Sequence, residues 1–237
     1  MGRKYLAFDL ETATDVPGPG FNWRAHRPLG ISCAAAYPCD AKAPTILHGQ
    51  NADGAPGARM SSEDARRLVD YLCGMVTKGY TLVTWNGMGF DLDVLSEESG
   101  AVEKCRDLAL DHVYMMFHVV CHCGFPVALG KAAHGMGIAG KPEGMEGALA
   151  PQLWAQGRFQ DVIDYVAQDV KIALALAERC EKSRLFKWTT RRETTGTMPL
   201  DRGWLTVRDA QQLPLPDTSW MTDPLPRQQF MEWLSRS

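Results

Sequence analysis

Three short apolar segments near the N-terminus constrain the fold of this chain most strongly. They lie at residues 4–10, about 30–37 and about 44–48, and a stretch rich in Pro and Gly separates the first two. Short apolar runs bounded by turn-forming residues are typical of buried β-strands. Three of them in succession predict an antiparallel meander.

A helix and a fourth strand follow the meander. Ser61, with acidic residues shortly after it, predicts the N-cap of a helix that ends at Gly79. Residues 80–85 predict a fourth strand, and a further helix is expected to begin near Asp91. The order β-β-β-α-β-α predicts an α/β protein with a mixed β-sheet flanked by helices.

The remaining sequence predicts helices and then an irregular end. Residues of about 101–140 are expected to be mostly helical, and a long helix is expected over about 158–181. We expect a core domain over 1–185 and an irregular C-terminal extension over 186–237 that packs on it, because three of the seven tryptophans lie in its tail, 199–237. Within it, 228–233 predicts a short docking helix.

Composition bounds the class of protein. The chain has 237 residues, of which 45% are hydrophobic and 22% charged, as in ordinary globular domains. The net charge of −3 argues against coating of duplex nucleic acid, which requires neutralised phosphates, but allows an enzyme that uses metal ions. Seven cysteines without a C-x-x-C pair, and no long apolar stretch, predict a cytoplasmic protein with reduced thiols and no membrane partner.

A pair of acids ends the first predicted strand. Because side chains alternate between the faces of a strand, Asp9 and Glu11 point to the same side. Two adjacent carboxylates repel each other unless a cation lies between them. Hard cations such as Mg²⁺ prefer oxygen ligands, so the pair predicts half of a metal site.

Two further segments carry polar groups, and each has a simpler interpretation. Asp91 follows a strand and a Gly-rich turn, so it could project from the end of the sheet or serve only as a helix N-cap. Tyr165 and Asp169 are four residues apart and share one helical face, which could line a site or simply face solvent.

Together these acids are much more specific than each alone. They lie at two strand ends and on a late helix. In this order and placement they resemble the acids of the DEDD (DnaQ-like) 3′→5′ exonucleases of the ribonuclease H-like fold. The resemblance covers about residues 4–181. It is closest to the tyrosine (DEDDy) branch, because Tyr165 precedes Asp169 by four residues and no histidine lies there. The four matching acids are Asp9, Glu11, Asp91 and Asp169.

The resemblance implies a chemistry for these residues. The four acids would hold two divalent ions, Mg²⁺ or Mn²⁺, and Tyr165 would orient the attacking water. It also implies contacts to the substrate. Leu10 and Thr12 would hold the terminal nucleotide, while Asn86 and Phe90 match the positions that contact the sugar–phosphate and the penultimate base.

The implied function is a metal-dependent 3′→5′ exonuclease acting on the 3′ end of single-stranded DNA, in proofreading, DNA repair or degradation. An exoribonuclease shares all the metal ligands, and recognition of the 2′-hydroxyl decides between the two. Two further functions stay open: a non-catalytic nucleic-acid-binding module on the same fold, and an unrelated metal phosphoesterase acting on small nucleotides.

A basic segment follows the predicted long helix. Residues 178–192 contain six basic and two acidic side chains, with Phe186 and Trp188 among them. The segment could grip single-stranded nucleic acid by charge and stacking. Alternatively, it is the solvated end of a helix whose aromatic residues pack inward.

Overall fold

The sheet at the centre of the protein has five strands. The computed structural model describes residues 2–16, 22–140 and 147–236. The strands lie in the order β3-β2-β1-β4-β5, with β1 antiparallel to β2, β2 antiparallel to β3, and β4 and β5 continuing in parallel from β1. The predicted meander and mixed sheet are therefore confirmed. The strand bounds are β1 Lys4–Thr12, β2 Ile31–Pro38, β3 Thr45–His48, β4 Tyr80–Thr84 and β5 Val113–Tyr114.

Eight α-helices are found in the described part of the chain. They are α1 Ser62–Thr77, α2 Asp91–Ser99, α3 Val102–Asp111, α4 Met115–Cys123, α5 Leu129–Gly135, α6 Ala150–Ala155, α7 Phe159–Ser183 and α8 Val207–Ala210. The predicted start of α1 is confirmed by a reciprocal cap, in which the Ser61 hydroxyl accepts from the Asp64 N–H at 3.1 Å and the Asp64 carboxylate accepts from the Ser61 N–H at 2.9 Å. No helix among the described residues is long and apolar enough to cross a membrane.

Helices cover both faces of the sheet, and β1 divides the core between them. Leu6, Phe8 and Leu10 belong to a hydrophobic cluster shared with α1 and α2. Tyr5 and Ala7 belong to a second cluster shared with α7. The alternation follows from the two-residue period of a strand. Continued to the end of β1, it directs the next odd-numbered side chains toward α7.

Residues 200–236 contain only one short helix and two 3₁₀ turns between irregular segments, in line with the predicted irregular extension. The prediction is wrong for the segment just before them. A hairpin forms there from β6 (Leu185–Thr189) and β7 (Thr195–Pro199). Phe186 and Trp188 are buried in the second cluster, so the prediction that these rings pack inward is confirmed and they are not exposed for stacking on bases. They lie on the strand β6 rather than at the end of a helix. A Cβ on Gly196 would lie 2.3 Å from the Trp188 ring, which shows how closely that ring covers the partner strand.

The residues after the hairpin differ in how they are held. Trp204 and Trp233 are buried, whereas Trp220 is 68% exposed. The docking helix predicted at 228–233 is instead two short 3₁₀ turns, Arg227–Phe230 and Glu232–Ser235. The two-residue strand β5 was also not predicted, because it is too short to show a pattern. The domain boundary at 185 stays a prediction.

Candidate active site

Three carboxylates meet between β1 and α7. One oxygen of Asp9, one of Glu11 and one of Asp169 lie within 4.8 Å of one another. Glu11 and Asp169 are buried, and Asp9 is half-buried. The alternation along β1 explains the arrangement, because it points both strand acids at the helix that covers that face.

Asp91 joins the edge of this cluster from α2. It is the first helical residue, and the N-cap position is Phe90, which makes no capping hydrogen bond through its side chain. The N-cap interpretation of Asp91 is therefore wrong. Its Oδ1 instead accepts a hydrogen bond of 3.0 Å from the backbone N–H of Leu10, the residue between the two β1 acids.

The environment of Asp91 disfavours its ionised form. Burial raises the pKa of this carboxyl to about 7, although the Leu10 N–H acts in the opposite direction, and the charge of Asp169 raises the pKa further. Ionisation of a buried carboxyl beside other carboxyls is costly unless a cation lies nearby. A bound cation removes that cost, so the electrostatics favour a positively charged ligand.

Tyr165 lies one helical turn before Asp169 on α7 and faces the same space. Both side chains are only 7% exposed, so the interpretation that they face solvent is wrong. Burial raises the pKa of Tyr165 well above its ordinary value, and the charges of Asp169 and Glu11 raise it further. The hydroxyl therefore keeps its proton at neutral pH and can donate a hydrogen bond.

One cavity of about 250 Å³ opens onto these groups. All nine residues selected from the sequence line it: Asp9, Leu10, Glu11, Thr12, Asn86, Phe90, Asp91, Tyr165 and Asp169. Five further lining residues were not anticipated, namely Thr14, Val16, Gly147, Ala148 and Pro151. Thr14 and Val16 lie beyond the end of β1, where strand alternation no longer predicts the direction of a side chain. Residues 147–151, around the start of α6, carry no motif, so only the tertiary structure brings them to the cavity.

The segment from Asn86 to Phe90, here called the 86–90 turn, forms one wall of the cavity. Its first end is held by the Gly87 N–H, which donates to the Thr84 hydroxyl at 3.0 Å. The Asn86 Oδ1 accepts a hydrogen bond of 2.6 Å from the Tyr114 hydroxyl. The Phe90 ring meets the ring of Trp23 edge-on, with 5.0 Å between centroids. Two of the predicted nucleotide contacts therefore share this wall.

The donor set fits a hard divalent cation. The clustered atoms of Asp9, Glu11 and Asp169 are carboxylate oxygens, which both Mg²⁺ and Mn²⁺ accept, and Asp91 lies beside them. Four acids facing one small cavity carry more negative charge than hydrogen bonds alone would normally balance. The acidic cluster is thus compatible with a divalent metal ion.

Comparison with solved structures supports the fold. A family B DNA polymerase from the hyperthermophilic archaeon Pyrobaculum calidifontis resembles this chain with a TM-score of 0.55 and 19% sequence identity. The match covers 76% of this chain but only 25% of the polymerase chain, so the protein spans about a quarter of that enzyme's length. No protein-family model and no curated protein matches the sequence. The architecture, a five-stranded mixed sheet flanked by helices, is consistent with a ribonuclease H-like fold.

Proposed function

We propose that the protein is a metal-dependent 3′→5′ exonuclease that hydrolyses phosphodiester bonds at the 3′ end of single-stranded DNA. The observation that carries the proposal is the convergence of Asp9, Glu11 and Asp169 within 4.8 Å. Asp91 and Tyr165 line the same cavity. The likeness to part of a DNA polymerase supports a nucleic-acid substrate.

The four acids are the groups that would hold two divalent ions, Mg²⁺ or Mn²⁺. Bound there, such ions would lower the pKa of the attacking water and offset charge on the phosphate and the departing 3′ oxygen. Tyr165 does not act as a base at neutral pH, because burial raises its pKa and the phenol therefore stays protonated. Its role is to donate a hydrogen bond that orients the water or a phosphate oxygen.

The cavity favours the end of one strand. Its volume of about 250 Å³ lies just below the range of about 300–1,000 Å³ usual for small-ligand sites. This size supports the proposal that one terminal nucleotide enters the cavity. We assign Leu10 and Thr12 to the terminal nucleotide, and Asn86 and Phe90 to the sugar–phosphate and the penultimate base.

A digestion panel tests the proposal. Single-stranded DNA, single-stranded RNA and duplex DNA of matched sequence, labelled at the 5′ end or at the 3′ end, would be incubated with Mg²⁺ or Mn²⁺. We expect a ladder of shortened 5′-labelled products from single-stranded DNA, and its loss in the near-isosteric variant Asp169→Asn.

Different outcomes would point to different functions. Faster digestion of RNA would make the protein an exoribonuclease. An intact strand under every metal condition, together with measurable binding, would make it a non-catalytic nucleic-acid-binding module. Hydrolysis of small nucleotides without any ladder would indicate a phosphoesterase of another kind.

A further inference from the structure

The middle of the 86–90 turn is supported by a distant part of the chain. Regular hydrogen bonds occur at its ends, where the Leu92 N–H donates to the Gly87 carbonyl at 2.7 Å and the Val94 N–H donates to the Phe90 carbonyl at 2.9 Å. Between them, the Met88 carbonyl accepts a hydrogen bond of 2.8 Å from the indole N–H of Trp233. The two partners are 145 residues apart.

This hydrogen bond is made in the core. Trp233 is 2% exposed and Met88 is completely buried. A buried backbone carbonyl without a hydrogen-bond donor is unfavourable, because its desolvation is not compensated. Conformations of the turn that break the bond to Trp233 are therefore disfavoured.

Phe230 supports the same turn through packing. A Cβ on Gly89 would lie 2.8 Å from the Phe230 ring and 2.8 Å from the Tyr114 hydroxyl, so the backbone of the turn rests against both. The Phe230 ring also meets the Tyr114 ring edge-on at 5.9 Å. Because Tyr114 donates to Asn86, Phe230 helps to orient a side chain that lines the cavity.

The two 3₁₀ turns that carry these aromatic residues are themselves fastened at both ends. Arg227 is buried and donates to three backbone carbonyls within residues 211–214 at 2.9–3.0 Å. Arg236 lies 3.3 Å from the carboxylate of Asp93 on α2. The segment 227–236 is therefore fixed at both ends, and it can hold the 86–90 turn in place.

We propose that Phe230 and Trp233 are positioning residues for substrate binding, which hold the 86–90 turn so that Asn86 and Phe90 meet the nucleotide next to the 3′ end. This inference rests on the proposed exonuclease function. Asp9, Glu11 and Asp169 lie outside the turn, on β1 and α7. Asp91 directly follows the turn, but its carboxyl is bound by the Leu10 N–H on β1. Loss of the support is therefore expected to weaken binding of a strand while leaving the hydrolytic step nearly unchanged.

The test compares two Trp→Phe variants of the same C-terminal extension. Trp233→Phe removes the indole hydrogen bond to Met88. Trp220→Phe is the matched control, because its indole N–H donates at 3.1 Å to the nearby Asp217 carbonyl and its ring is largely exposed. Both are assayed on single-stranded oligothymidylate and on the p-nitrophenyl ester of thymidine 5′-monophosphate, which has no penultimate nucleotide. Binding of the oligonucleotide is also measured in Ca²⁺.

For Trp233→Phe we expect KM and the oligonucleotide Kd to rise about fivefold, the effect of one lost hydrogen bond, with kcat within about twofold. Hydrolysis of the ester should also stay within about twofold of wild type, and Trp220→Phe should match wild type throughout. Phe230→Leu is assayed alongside with the same expectation. If Trp233→Phe unfolds below the assay temperature, Phe230→Leu provides the test instead.

The possible failures are distinguishable. If wild-type protein hydrolyses neither the oligonucleotide nor the ester, the exonuclease function itself is wrong. If wild type is active and the folded variants bind and cut the oligonucleotide as wild type does, only the positioning role is overturned. An equal loss of kcat on both substrates would also overturn it, because the extension would then support the whole site.

Discussion

The two sides of the cavity are built in different ways. Asp9, Glu11 and Asp169 stand on β1 and α7, whose backbone hydrogen bonds are satisfied within the sheet and the helix. The 86–90 turn relies instead on residues from other parts of the chain: Tyr114 bonds Asn86 at its start, and Trp233 bonds Met88 in its middle. The three carboxylates are therefore positioned by regular secondary structure, whereas the turn is positioned by side chains from distant parts of the chain.

Under the proposed function, we expect catalysis and substrate binding to respond separately to changes on the two sides of the cavity. Groups on regular elements are placed by the elements themselves, so their geometry survives changes at a distance. A turn held by a few side chains can be altered without moving those groups. Perturbing the carboxylate side should reduce turnover, and perturbing the turn should reduce binding.

The largest expected effect comes from the carboxylate side. Asp9→Ala and Asp169→Ala should each lower kcat by at least about a hundredfold, because each removes a ligand from the site that stabilises the developing charge. The melting temperature of the metal-free protein should stay unchanged or rise, since one of several mutually repelling carboxylates is gone. Steady-state kinetics and thermal unfolding in EDTA measure the two quantities.

Asp164→Ala is the matched control for Asp169→Ala. Asp164 lies on the same helix but is exposed and bonded to Gln160, so its loss should leave kcat unchanged. A large loss of metal-free stability in Asp9→Ala or Asp169→Ala would contradict the view that these carboxylates serve function rather than the fold.

An intermediate effect is expected from Tyr165→Phe. The variant keeps the ring and removes only the hydroxyl, so kcat should fall about tenfold while KM changes little. Tyr80→Phe is a suitable control, because it removes a surface hydroxyl bonded to Asp40 at 2.6 Å. Full activity in Tyr165→Phe would mean that the hydroxyl plays no part in orienting the water.

A smaller effect is expected from Gly89→Ala on the turn side. The added methyl group would meet the Phe230 ring and the Tyr114 hydroxyl at 2.8 Å, so the turn must shift. KM for an oligonucleotide should rise about threefold, with kcat nearly unchanged. Steady-state kinetics on single-stranded DNA measure both quantities.

Gly74→Ala in α1 tests the specificity of that result. Among the described residues, no atom outside the adjoining helix backbone lies within 4 Å of the added Cβ, so the substitution should raise stability slightly through helix propensity and leave KM unaltered. If Gly89→Ala instead lowered kcat as strongly as loss of a carboxylate, the two sides of the cavity would not be separable.

Much of the frame was predictable because its signals are local. Strands β1–β4 and the long helix α7 follow from the pattern of apolar residues. The shared direction of Asp9 and Glu11 follows from strand alternation. The β6–β7 hairpin was missed because repeated Thr and Gly are also typical of loops. Its pairing is stabilised by burial of Phe186 and Trp188, which composition does not reveal.

The local sequence predicted which groups would face the candidate site: the alternating acids of one strand, and a tyrosine and an acid one helical turn apart. These relations depend on the geometry of single elements, which neighbouring residues dictate. The tertiary structure was needed to show that Asp91 is held by the Leu10 N–H and that Trp233 supports Met88. Such contacts join residues far apart along the chain, and their energy arises from burial in a shared core rather than from any local pattern.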